Sequence, residues 1–182
     1  MKISNLAKAI KSNKQLNVLT TADSNGEMFQ MIGYAGNLYR INNMPILNDV
    51  QMLTFLGMAK ADKGKLNYKE QTLTHDIFLD DYVGEEQMLW STLASDHEIT
   101  VFWSVALNND EVVFAMSDSF GLADVTGSTR AFLRKSKDMT YIAIKEGMFL
   151  KALIVPQKVT VERLLERLDR ERKLLERAKR NA

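Results

Sequence analysis

The chain opens with Ile3, Leu6, Ala7 and Ile10 at i, i+3, i+4 and i+7, a spacing that predicts a short amphipathic helix with Ser4 as its N-cap. The period then drops to two. Leu16, Val18 and Thr20 alternate with Asn17, Leu19 and Thr21, Asn25-Gly26 can turn the chain, and residues 28–32 return as the second arm of a hairpin. Gly36-Asn37 leads into a third short strand over 38–41. Pro45 interrupts it, and Asn48 with Gln51 three residues later predicts a capping box opening a helix that runs to about Met58.

Residues 59–72 read as an exposed basic loop, and 75–86 show too little periodicity for more than an irregular or partly helical segment. Ile99, Val101, Trp103, Val105 and Leu107 alternate cleanly, and Phe102 and Ala106 lie on the other face, which predicts a strand buried on both sides. Asn108-Asn109-Asp110 turns it into 112–116. Residues 140–145 and 148–155, joined through Glu146-Gly147, form the clearest hairpin in the chain, which Pro156 ends. Thr160 caps a last helix through about Lys179, with Val161, Leu164, Leu168, Leu175 and Ala178 along one side. The predicted architecture is α+β: antiparallel β-hairpins with short N-terminal and middle helices in residues 1–157, and a long charged C-terminal helix in 158–182.

Composition adds limits rather than detail. A chain of 182 residues with 46% hydrophobic and 26% charged residues has enough apolar side chains for a real core. With no cysteine there are no disulfides and no thiolate metal sites. No apolar run approaches the roughly 18 residues of a membrane span, and lysines interrupt the start too early for a signal peptide. The expectation is a soluble, intracellular (cytoplasmic) protein.

Charge changes the picture most. Residues 70–129 hold twelve carboxylates and no lysine or arginine, whereas nine basic and four acidic residues precede them and fifteen and seven follow. The formal net charge of +1 therefore hides an acidic centre between basic ends. Its densest part is Asp80-Asp81 and Glu85-Glu86. With Asp76, Asp96 and Glu98, these acids predict a negative surface steered onto a basic partner. The alternative is a solvated face whose charges are balanced by the flanks. Arg170, Arg172, Lys173, Arg177, Lys179 and Arg180 could contact the phosphates of double-stranded DNA. The same residues also fit a solvated helix with i,i+4 pairs Glu166–Arg170, Asp169–Lys173 and Glu176–Arg180.

Catalytic signatures are missing. Gly57 and Gly64 are too far apart for a phosphate-binding loop, Gly121 and Gly127 lack its lysine, and Gly33 with Gly36 does not make a dinucleotide fingerprint. His75 and His97, each beside a carboxylate, read as surface imidazoles sooner than general bases. The acidic cluster has no EF-hand spacing and no mark of a sugar cleft, so no metal, cofactor or catalytic residue is assigned. Trp90 and Trp103 are expected in the core, Trp103 above all.

Three stretches carry a resemblance: the opening 2–8, the segment 36–40 leading to Met44-Pro45-Ile46-Leu47, and the hairpin 141–150. They resemble small proteins of phages and mobile elements of Gram-positive gut bacteria, and the chain looks like one of the larger type II-A anti-CRISPR proteins, which inhibit Cas9. The resemblance implies a non-enzymatic inhibitor that binds guide-loaded Cas9 and blocks target DNA binding or cleavage. It transfers no functional residue. Cas9 holds nucleic acid in basic channels, so the acidic centre would be the contact. The second reading is a DNA-binding accessory protein of phage replication that acts through its basic ends.

Overall fold

A computed structural model describes residues 3–72, 76–92, 99–104, 112–136 and 139–157, together with Glu166, Asp169 and Lys173. The predicted first helix is α1, Ile3–Asn13, with Leu6, Ala7 and Ile10 buried as their spacing requires. It leads into β1 (Gln15–Ala22), which pairs antiparallel with β2 (Met28–Tyr34). At their turn the Asp23 carboxylate accepts from the backbone N–H groups of Asn25 and Glu27, and Gly26 takes φ +81. β3 (Asn37–Ile41) follows after Ala35 and Gly36, at φ +49 and +83, the two left-handed residues of a type I′ hairpin turn. The adjoining Gly33 is irreplaceable for a different reason: a Cβ there would lie 1.8 Å from the Asn37 carbonyl oxygen. The capping box is present, Asn48 and Gln51 exchanging side chain–backbone bonds of 3.0 Å, but α2 covers only Asp49–Phe55.

The remaining strands are β4 (Asn67–Thr72), β5 (Glu86–Thr92), β6 (Ile99–Ser104), β7 (Val112–Met116), β8 (Thr129–Lys135), β9 (Thr140–Glu146) and β10 (Phe149–Ile154). A short helix α3, Ser117–Leu122, separates β7 from β8. All ten strands join one sheet in the order β4-β1-β2-β3-β10-β9-β8-β5-β6-β7, antiparallel everywhere except β1/β4. The fold is therefore mostly β and not α+β. Among the described residues the α-helices are eleven, seven and six residues long, with 3₁₀ turns at Lys60–Lys65 and Asp76–Phe78, and the C-terminal helix expected over 158–182 lies outside the described residues except at Glu166, Asp169 and Lys173. None is long and apolar enough to cross a membrane.

Three strands account for the difference. β4 was expected as basic loop, because Asn-Tyr-Lys-Glu-Gln-Thr shows no apolar alternation. At the sheet's edge it buries little, and its lysine and glutamate discourage further pairing. β5 and β8 lack a period of two: Met88, Leu89 and Trp90 are consecutive, and Phe132 stands between Ala131 and Leu133, so neither shows the alternation of a strand.

The sheet has two apolar layers. On one face α1, α2 and α3 cover Leu16, Ile32, Tyr39, Ile142, Ile144 and their neighbours. Trp90, Phe102 and Phe120 meet there edge-on, with Phe102–Phe120 centroids 5.2 Å apart. Asn37 fixes α3 to the sheet by donating to Ser119 Oγ at 3.1 Å and accepting from the Val155 N–H at 2.9 Å. Tyr39 donates its hydroxyl to the Ser119 carbonyl at 2.9 Å, and burial raises the phenol's pKa far above its ordinary value. On the other face Leu19, Phe29, Met31, Leu38, Ala143 and Leu153 are covered by no α-helix among the described residues. The chain between a 3₁₀ turn at Asp76–Phe78 and β5 lies over them, inserting Ile77 and Phe78.

Candidate functional site

The covering segment is the part of the chain expected to present an acidic wall, and its carboxylates point into the fold. Asp80 is buried and receives Arg40 Nη1 at 2.5 Å and the backbone N–H of Leu150 at 2.9 Å, next to the bulge in β10. Glu85 receives Arg134 Nε at 2.9 Å on one oxygen and Lys145 Nζ at 2.7 Å on the other. The Arg134 guanidinium, fully buried, also donates to the carbonyls of Ile77, Leu79 and Asp80 at 2.6–2.9 Å. Desolvation lowers its pKa from the ordinary value against the pull of Glu85. Each of these cations also rests over a ring: Arg40 over Phe29 at 3.9 Å, Arg134 over Tyr82 at 5.4 Å and Lys145 over Phe132 at 5.0 Å.

This arrangement is a latch. Buried charges persist only when paired and hydrogen-bonded, and here the pairing fastens an irregular segment across the sheet. Asp80 and Glu85 are thus corrected from partner contacts to internal ties. Of the other expected acids, Asp81 is exposed, and Glu86 is half-buried and accepts the Ser104 hydroxyl. The Asp76 side chain, Asp96, Glu98, His75 and His97 lie outside the described residues, as do Arg170, Arg172, Arg177, Lys179 and Arg180. Lys173 is described, and its ammonium pairs with Asp169 at 2.7 Å, the i,i+4 bond its spacing suggested. No three potential metal ligands converge among the described residues.

Among the described residues, the latch covers the sheet only as far as β8. Beyond it, on the same face, the register aligns Leu89, Trp103 and Val112 across β5, β6 and β7. The next positions pair Val101 with Phe114, and then Ile99 with Met116. Directly opposed residues have Cβ atoms about 5 Å apart, so these side chains form one apolar surface. Leu89, Trp103, Val112 and Met116 face solvent, at 47%, 37%, 48% and 40% exposed, whereas Val101 and Phe114 are half-buried and Ile99 is buried. Trp103, expected in the core, stands on this open face, whereas Trp90, one strand away on the opposite face, packs with Phe102 and Phe120. The alternation of β6 predicted a strand buried on both sides; both faces are apolar, but the one carrying Trp103 is open. Alternation carries no information about whether anything covers both, because that depends on where the latch ends.

Exposed apolar surface contiguous over three strands is comparable to the largest patch of an ordinary monomer, the kind that often has a function. The open face offers hydrophobic area and one indole, with no carboxylate pair, nucleophile or phosphate cradle among its described residues. No family model, curated protein or solved structure matches the chain.

Proposed function

We propose that this protein is a non-enzymatic binding module that receives the apolar stripe of an amphipathic helix, contributed by a partner protein, on the open face of β5, β6 and β7. The row Leu89–Trp103–Val112 carries the reading: three large apolar side chains in register and exposed, on a sheet whose central strands are covered on both sides. An apolar sheet face is ordinarily buried against another element. Three strands at about 4.8 Å spacing and 17–20 Å long match the roughly 10 Å diameter and three to four turns of a helix.

Area argues against a second copy as occupant. Four side chains, of which Trp103 is the largest at about 150–250 Å², each a little under half exposed, offer less than about 400 Å². A stable dimer buries about 800 Å² per partner. A helix lying along the strands needs less.

The reading keeps the expectation of a non-enzymatic, partner-binding protein and changes the surface it uses. The acid decoy aimed at Cas9 is not carried forward, because Asp80 and Glu85 would have to abandon Arg40, Arg134 and Lys145 to reach a partner.

The test is selection of displayed helical peptides of about 18 residues, roughly five turns, against the full chain, with counter-selection on Val112→Asp. Selected peptides should carry apolar residues at i, i+3 or i+4, and i+7, bind Val112→Asp at least tenfold more weakly, and shift Trp103 emission to the blue. Peptides that bind both proteins equally would remove this face as the site. If Leu164→Asp with Leu168→Asp further exposes Trp103, the occupant is the chain's own C-terminal segment. If Val112→Asp converts a dimer to a monomer in ultracentrifugation, it is a second copy. Either result replaces the partner helix.

A further inference from the structure

At the far end of the same face, between the β4–β1 edge and the latch, lies a cavity of about 310 Å³. We propose that it binds a small organic anion, a carboxylate carried on a compact apolar or aromatic body. The inference is independent of the β5–β7 face.

The polar half of the lining consists of donors. In the parallel register Asn17 lies beside Lys69, and Leu19 beside Gln71, so Lys69 and Gln71 share the face that Asn17 presents. Gln15 is already engaged: its amide oxygen accepts from the Ala35 N–H at 3.1 Å and its amide nitrogen donates to Asn17 Oδ1 at 3.3 Å. That second bond occupies the Asn17 oxygen and leaves its two N–H groups for a ligand. Lys69 has no ion-pair partner and Gln71 no hydrogen-bond partner among the described residues. Tyr141 closes the polar side, and burial pushes its phenol pKa up, so the hydroxyl stays protonated and available as a donor.

The rest of the wall is apolar. Leu19 and Leu38 come from the sheet, Phe78 from the latch and Met139 from the entry to β9. Among the described residues no carboxylate lines the cavity, and Lys69 is the one charged side chain in its lining, in contrast to Arg40, Arg134 and Lys145, whose charges are spent on Asp80 and Glu85. Open donors and an unneutralised ammonium above an apolar floor complement a carboxylate whose body enters the floor. The volume sits at the lower end of small-molecule sites, which selects a body about the size of one ring.

The probe is phenylacetate, titrated into the ¹⁵N-labelled full chain while the side-chain amide signals of Asn17 and Gln71 are followed. Phenylacetate should shift both signals saturably. Benzylamine, with the same ring and the opposite charge, should leave them in place. Lys69→Gln, on an exposed edge strand where the backbone spectrum will report an intact fold, should weaken phenylacetate roughly tenfold or more, the weight of one charge-assisted bond. Equal shifts by the two probes, or unchanged affinity in Lys69→Gln, would overturn the site. A dipeptide ending in a free phenylalanine carboxylate distinguishes the sources. Tighter binding than phenylacetate identifies the C-terminus of another protein, weaker binding identifies a free metabolite, and no binding by either anion refutes the proposal.

Discussion

Replacing Arg134 with methionine tests whether the latch is held by charge. The native guanidinium makes four hydrogen bonds, one to Glu85 and three to the carbonyls of Ile77, Leu79 and Asp80. Removing one member of a buried ion pair costs about 3–5 kcal/mol. Three carbonyls left dry would add about 1–3 kcal/mol each if the segment stayed in place. The segment has a cheaper alternative: it can lift off, hydrate those carbonyls and forfeit the burial of Ile77 and Phe78, about 1.5–3 kcal/mol apiece. Lifting off wins, so the loss saturates near 3–6 kcal/mol and appears first as local opening. Hydrogen exchange should show fast exchange at 77–80 and at the Leu150 amide, whose acceptor is Asp80, with β1 and β2 still protected. Urea unfolding should report a correspondingly lower midpoint. A Leu150 amide as protected as in the native protein, with stability changed by less than about 1 kcal/mol, would show that apolar packing alone holds the segment and refute the reasoning.

Three further outcomes follow from single sites. Gly33→Ala forces a methyl to within 1.8 Å of the Asn37 carbonyl, so the β2–β3 hairpin must shift, and thermal melting should fall by the equivalent of more than about 2 kcal/mol, in the range of core overpacking. Asn37→Ala removes both ties between Ser119 and Val155 and leaves a buried N–H unpaired, at a cost of about 1–3 kcal/mol, read in urea unfolding. Glu146 is held at about 2 by the Thr126 and Ser128 hydroxyls and by Lys151. Because the folded value lies below the unfolded one near 4.3, its contribution is complete above that unfolded value and is lost as pH falls toward 2. Between pH 5 and pH 2 the melting temperature should therefore drop further in the native protein than in Glu146→Gln, and parallel curves would contradict the assignment.

Much of the fold could be read from residue order alone where one residue type had one local job. Leu6 and Ile10 predicted α1, Asn48 and Gln51 predicted the start of α2, and the alternation on either side of Glu146-Gly147 predicted β9 and β10. Elements set by distant partners stayed hidden. β4 is a strand because β1 offers it a parallel edge, since its own six residues bury almost nothing. The lack of lysine and arginine across 70–129 looked like unbalanced charge. Two of its carboxylates, Asp80 and Glu85, find their counterions in Arg40, Arg134 and Lys145, 40 to 60 residues away. The open face was half visible: Trp103 sat in a strongly apolar strand, but which face of β6 the fold covers is decided by where the latch stops, and local pattern does not encode that.

Trp103 also supplies the most direct measurement. In the Trp90→Phe variant it is the remaining indole, and its emission and its quenching by acrylamide report the β5–β7 face directly. The account predicts a red-shifted, readily quenched Trp103 in the isolated protein, turning blue and protected when a selected helical peptide is added. Emission that is already blue-shifted and resistant to acrylamide in the isolated protein would contradict an open binding face.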